Sequence, residues 1–275
     1  MRALRILFLF LLAFPAYPIL AQSIDPALTA AIAARDNAAI ARNAATVANF
    51  TADDYAAINP SGQLMNKKQR VDGLNAPAAP GSAPQLPLRT EAVRMYGVGA
   101  AVVRMRSVDN RQLHVWIKNP SGWQVTAIHV VPDAFTPQTP PSAPPKTAQP
   151  TVLNAPAGLA GDRGAVFAAF KQIQEAVDTG DRATYDKLLA PEYARLSPGM
   201  LRFSTENSPV AGLRVPPKYS NITVQAWDQL GVVRWHEVSA AGQQQWFTRV
   251  FAKKGPAWQQ VATASRPAGT PAIAP

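Results

Sequence analysis

The chain states one pattern twice, and this limits its fold more than any other feature. Tyr55-Ala-Ala-Ile-Asn-Pro60 returns as Tyr193-Ala-Arg-Leu-Ser-Pro198. Gly73-Leu74 returns as Gly212-Leu213, and Val102-Val103-Arg104 as Val232-Val233-Arg234. Lys118, Trp123 and Pro132 return as Lys253, Trp258 and Pro267, in the same order and at offsets of 130 to 139 residues. A repeat of that length is a whole domain, so one scaffold is used in tandem. At about 110 residues apiece, each copy is large enough to bury its own core.

Composition marks the boundaries. Thr136-Pro-Gln-Thr-Pro-Pro-Ser-Ala-Pro-Pro145 cannot sustain a helix or donate a full ladder of hydrogen bonds, so residues 136–160 read as an extended linker. The domains on either side span 22–135 and 161–267, and the Pro/Ala-rich tail 268–275 reads as disordered. A further Pro/Ala/Gly stretch, 76–87, reads as a long loop inside the first copy. Residues 1–21 have the layout of a secretory signal peptide: Arg2 and Arg5, an apolar run from Ile6 to Ala13, Pro15 and Pro18, then a small residue at Ala21. That run is short for a membrane span, and no later stretch is long and apolar enough to make one. A periplasmic or secreted location is expected.

The chain has no cysteine, so disulfides, thiolate metal sites and a lipid anchor on Cys are all excluded. The formal charge is +10, or +8 without Arg2 and Arg5. It is spread over both copies without a long basic tract or a nucleic-acid-binding motif, so no nucleic-acid partner is expected. No cofactor fingerprint, phosphate loop, nucleophile elbow or zinc-protease helix is present, and no metal or cofactor is expected.

Each copy opens with helices and continues with strands. Asp25-Pro26 can start a helix, with Leu28 and Ile32 facing inward. In the second copy Asp162 can cap a helix with Val166, Phe167, Phe170, Ile173 and Val177 on one face. Gly180 can end that helix and Asp181 can cap the next. Arg35-Asp36 aligns with Gly180-Asp181, with Asp36 as a cap, although Asp36 lies seven residues farther from Tyr55 than Asp181 lies from Tyr193. Four β-rich segments follow in each copy, the last two joined by a tight turn (Asn119-Pro-Ser-Gly122, Lys254-Gly-Pro256). Helices followed by an antiparallel meander predict an α+β domain with helices on one face of a curved sheet.

The motifs carry a resemblance. Arg35-Asp36, Thr51-Ala-Asp-Asp-Tyr55, Pro60-Ser-Gly62, Val93-Arg-Met-Tyr-Gly97 and Ala101-Val-Val-Arg104 lead into Val115-Trp-Ile-Lys118, Gly122-Trp-Gln-Val125 and Pro132. Over 25–132, and more weakly over 162–267, this resembles the nuclear transport factor 2-like superfamily, in its SnoaL-like and uncharacterised-function branches. The resemblance implies two tandem cone-shaped (cystatin-like) domains, each with a pocket between sheet and helices and often dimerising through the sheet. Its members include isomerases, cyclases, dehydratases, subunits of larger enzymes and many non-enzymes, so fold alone assigns no function.

The candidate catalytic residues are Asp54, Tyr55, His114 and His129. If Lys118 pairs with Trp123 without interruption, His114 faces Ala127, Gln112 faces His129, and the two histidines share one face. They would then be available for acid–base work. Asp54, beside Asp53 and Tyr55, would be a base, although a turn or cap role accounts for it better. Tyr96 and Trp116 are candidate pocket walls. Two readings follow. In the first, the protein is an exported, non-catalytic binding or scaffold protein whose two domains pair within the chain and whose partner is a small apolar ligand or an envelope protein. In the second, the first domain is an isomerase, cyclase or dehydratase.

Overall fold

The computed structural model describes residues 23–78, 86–134, 147, 149, 151–203 and 212–269. The segment read as a signal peptide (residues 1–21), most of the Pro-rich linker, the centre of the 76–87 stretch and residues 204–211 and 270–275 lie outside the described residues. The first domain consists of α1 (Pro26–Ile40), α2 (Ala44–Asn49), β1 (Thr51–Ile58), β2 (Leu64–Asn66), α3 (Lys67–Asn75), β3 (Arg89–Tyr96), β4 (Ala100–Arg106), β5 (Asn110–Asn119) and β6 (Gly122–Pro132). The second consists of α4 (Gly161–Thr179), α5 (Arg182–Leu188), β7 (Leu189–Ser197), β8 (Met200–Phe203), β9 (Lys218–Trp227), β10 (Leu230–Val238), β11 (Gln244–Lys254) and β12 (Ala257–Pro267).

The two sheets have the same order, β2-β1-β6-β5-β4-β3 and β8-β7-β12-β11-β10-β9. They are not wholly antiparallel as expected. β1 runs parallel to β6, and β7 parallel to β12. The reason is connectivity: the meander strands are joined by tight turns, whereas β1 and β7 arrive after helices and are hydrogen-bonded to the last strand of their own domain.

The helix starts show which local signals prevail. Asp25 caps α1, accepting from the Ala27 amide at 2.8 Å, with Pro26 in the first turn. Asp36 is not a cap; α1 runs straight through it to Ile40. The break falls at Arg42, in the left-handed region at φ 53°, and Asn43 caps α2 by accepting from Thr46 N at 3.0 Å. Arg42-Asn43 is therefore the counterpart of Gly180-Asp181, where Gly180 has φ 75° and Asp181 accepts from Thr184 N at 3.0 Å. From Asn43 to Tyr55 the distance in sequence equals that from Asp181 to Tyr193, and the apparent seven-residue surplus vanishes. Nor does Asp162 cap α4. Ala160 holds that position without a side-chain bond, and Asp162 in the first turn accepts from Lys253 Nζ at 3.0 Å.

Each sheet buries one face under its own helices. Leu28 and Ile32 of α1 pack on Met95, Val103, Trp116 and Val125, and Phe167, Phe170 and Ile173 of α4 pack on Val233, Trp235 and Phe251. The opposite faces meet each other. Val102, Leu113, Val115 and Val131 of the first sheet form one apolar cluster with Leu196, Leu230, Val232, Val250 and Val261 of the second. Polar bonds frame that cluster. Gln225 Nε2 donates to Asp54 O at 2.8 Å, Arg234 Nη2 to Ala56 O at 3.1 Å and Arg266 Nη1 to Asn59 O at 2.7 Å. At its edge Gly269 N donates to Gly62 O at 2.9 Å. A Cβ on Gly62 would lie 2.4 Å from that nitrogen, so the approach requires glycine.

Candidate functional site

Between the first sheet and its helices lies a cavity of about 430 Å³. β1 supplies Tyr55 and Ala57, β6 supplies Ile128 and Val130, and β5 supplies Gln112. Arg35 of α1 and Arg70 of α3 supply cations. Arg35 is only 3% exposed. Its nearest carboxylate is Asp36, at 3.7 Å, and its Nε has no hydrogen-bond partner among the described residues. Burial pushes the Asp36 carboxyl up to about 6, against the pull of Arg35 and Arg70. The cavity is thus largely apolar, with two guanidinium groups at its helical side.

His114 is fully buried, and its Nε2 donates to Gln112 Oε1 at 2.8 Å. Burial, with Arg35 and Arg70 nearby, holds it well below the usual histidine range, so it is neutral. His129 lies on the other face of the sheet. It is equally buried, and its Nδ1 lies 2.9 Å from Thr248 Oγ1 of the second domain. Burial and the charges of Arg234 and Arg266 depress it too.

The shared face expected for the two histidines fails for a definite reason. Lys118 does pair with Trp123, but a bulge at Thr126 shifts the register, so that Trp116 pairs with Val125 and Val115 with Ala127. Beyond the bulge His114 faces Ile128, and His129 faces Leu113. One extra residue inverts every later side chain, because strand side chains alternate. The second domain has the same bulge at Val261.

Of the four catalytic candidates, only Tyr55 lines the cavity. Asp54 is exposed, and its Oδ1 accepts from Thr126 Oγ1 at 2.8 Å. Its neighbour Asp53, also exposed, accepts from Lys67 Nζ at 2.8 Å. Trp116 is fully buried core. Tyr96 walls a different space, a groove of about 250 Å³ between the domains that is also bounded by Arg94, Arg104 and Glu192. Its hydroxyl lies 3.4 Å from Glu192 Oε1.

Arg35 and Arg70 were not among the sequence candidates. A signal for Arg35 was available: Leu28, Ile32 and Arg35 share helical spacing, which puts the arginine on the buried face. Arg70 was hidden in the basic run Lys67-Lys68-Gln69-Arg70, which reads as solvated surface.

No family model matches the chain, and no curated protein does. Solved structures with a similar fold include a DUF3225-family protein of unknown function from Pectobacterium atrosepticum. It is 19% identical over 38% of this chain and 89% of its own, at TM-score 0.34. A cystatin-like fold protein from Burkholderia xenovorans is 20% identical over 39% of this chain and 92% of its own, at TM-score 0.35. Each half carries one six-stranded sheet of the same strand order with helices on one face, the architecture that the resemblance to the nuclear transport factor 2-like superfamily implied. A further nuclear transport factor 2-like protein of unknown function, from Silicibacter pomeroyi, is 15% identical over 38% of this chain and 93% of its own, at TM-score 0.33. The first-domain cavity lies on the helix-covered face, as the sequence resemblance implied.

Proposed function

We propose that the protein is an exported, non-catalytic binding protein. Its first-domain cavity takes a small molecule with an apolar body and a negatively charged or acceptor-rich group. The second domain serves as a permanent partner covering the open face of the first sheet. The observation that carries this reading is the composition of the cavity wall: Tyr55, Ala57, Ile128 and Val130 are joined there by Arg35 and Arg70. Such walls suit an apolar ligand held at one end by charge-assisted hydrogen bonds. The scattering of Asp54, His114 and His129 supports binding over proton transfer, since a base must lie within reach of the proton it removes. Export rests on the N-terminal layout of Arg2, Arg5 and the apolar run that follows.

Anilinonaphthalene sulfonate, an apolar fluorophore with one anionic group, tests the reading. It should bind the full chain saturably, and Arg70→Met should weaken that binding about tenfold. Equal binding by the variant would overturn the reading. So would turnover of a small carbonyl compound that is lost in Tyr55→Phe. Fractionation of cells expressing the chain checks export.

A further inference from the structure

The second domain has its own cavity, of about 220 Å³, on the helix-covered face of its sheet. At the position that His114 occupies in β5, β11 carries Arg249. Arg249 is 7% exposed and lines this cavity. Its guanidinium carbon sits 5.0 Å above the Trp235 ring and 5.7 Å from that of Phe170. Neither Nε nor Nη1 has a hydrogen-bond partner among the described residues. Arg195, also on the wall, has an Nε in the same condition.

Two neighbouring carboxylates do not relieve this. Asp178 is ion-paired with Arg214 and accepts from Tyr219 Oη. Glu237 accepts from Trp235 Nε1 at 3.1 Å and forms no ion pair with Arg249 among the described residues. A buried guanidinium loses its water, and cation–π contact replaces only part of that loss. Arg249 lines a cavity, so an anion held there would lie beside a guanidinium whose Nε and Nη1 are unpaired among the described residues.

We propose that the second-domain cavity binds a small organic carboxylate. Arg249 and Arg195 hold the carboxylate, and the apolar body of the ligand lies against Phe247. The planar guanidinium suits a carboxylate's two oxygens. Phe247 is half-buried and stacks on Trp235 at 4.9 Å, which offers a flat apolar wall that a bare inorganic anion would leave uncovered. The volume lies below the usual range for drug-sized ligands, so the ligand is small. This site is independent of the first-domain cavity.

Benzoate is the probe, titrated into the full chain by calorimetry beside benzamide and inorganic phosphate. Benzoate should bind, with benzamide and phosphate each about tenfold weaker or more. Arg249→Met should weaken benzoate by a similar factor, and Arg70→Met should leave it unchanged. Benzoate failing to bind overturns the proposal, as does Arg249→Met binding it normally. Loss in Arg70→Met alone would place the ligand in the first cavity instead. Phosphate binding as tightly as benzoate would reduce the site to one for bare anions and overturn the organic carboxylate. If Arg249→Met does not fold, the indole N–H resonance of Trp235, assigned through Trp235→Phe, decides. It should shift on adding benzoate to the unaltered chain, and an unmoved resonance overturns the proposal.

Discussion

Arg234 of the second domain donates from Nη2 to the main-chain carbonyl of Ala56 in the first, at 3.1 Å, with its side chain almost wholly out of water. The arginine leaves β10 toward β1, so each sheet supplies part of the other's polar framework. Arg234→Ala would leave that carbonyl unpaired and open a void. A loss of about 2–4 kcal/mol is expected, read from urea unfolding. Arg234→Met, which keeps the volume, should lose less. Fluorescence and far-UV dichroism should give one coincident transition, because the apolar cluster between the sheets makes the domains unfold together.

Asp36 gives a pH dependence of unusual sign. Its carboxyl is raised from an ordinary 3.8 to about 6 in the folded protein. Between these values the folded state holds more protons than the unfolded one, so stability falls as pH rises through that window. Asp36→Asn should therefore gain about 1–2 kcal/mol above pH 6 and nothing below pH 4. Urea midpoints at pH 3.5 and 7.5 measure the difference.

Asp25 works in the opposite direction. Trp123 Nε1 and Lys118 Nζ both donate to its Oδ2 at 2.9 Å, and these bonds, with that from Ala27 N, lower the carboxyl to about 2. Its contribution is complete above 3.8 and fades as pH falls toward 2. In Asp25→Ala the Trp123 indole proton should exchange faster at neutral pH, and acid unfolding should lose this part of its dependence.

Gly231 tests how closely α4 approaches its sheet. A Cβ there would lie 2.4 Å from Val166 Cγ2, and Val166 is fully buried. Gly231→Ala should cost about 1–3 kcal/mol by overpacking. Val166→Ala in the same chain should recover part of it, so the two changes should be strongly non-additive in thermal unfolding.

The sequence revealed the duplication, the helix-then-strand order and the tight turns, because aromatic, Gly and Pro positions mark these locally. It misplaced the first-domain break, reading Asp36 where Arg42 and Asn43 serve. The alanine-rich α1 has too faint a stripe to show where its helical turns end. The Thr126 bulge was invisible for another reason: an inserted threonine between valine and alanine changes no composition and disturbs no alternation that a reader could trust. Yet it alone decides which way His129 points. The buried arginines escaped because a charged residue is read as surface until the structure shows the wall it belongs to.

The sheet-to-sheet union described above has a genetic consequence. When two identical chains pair through one face, each substitution on that face is made twice and must suit itself across the axis. In this chain Arg234 meets Ala56, His129 meets Thr248 and Tyr96 meets Glu192, each pair encoded by separate codons. Either side of a contact can change alone. At the seam itself the copies already differ: His129 of β6, paired with Leu113, has Ala264 of β12, paired with Thr248, as its counterpart.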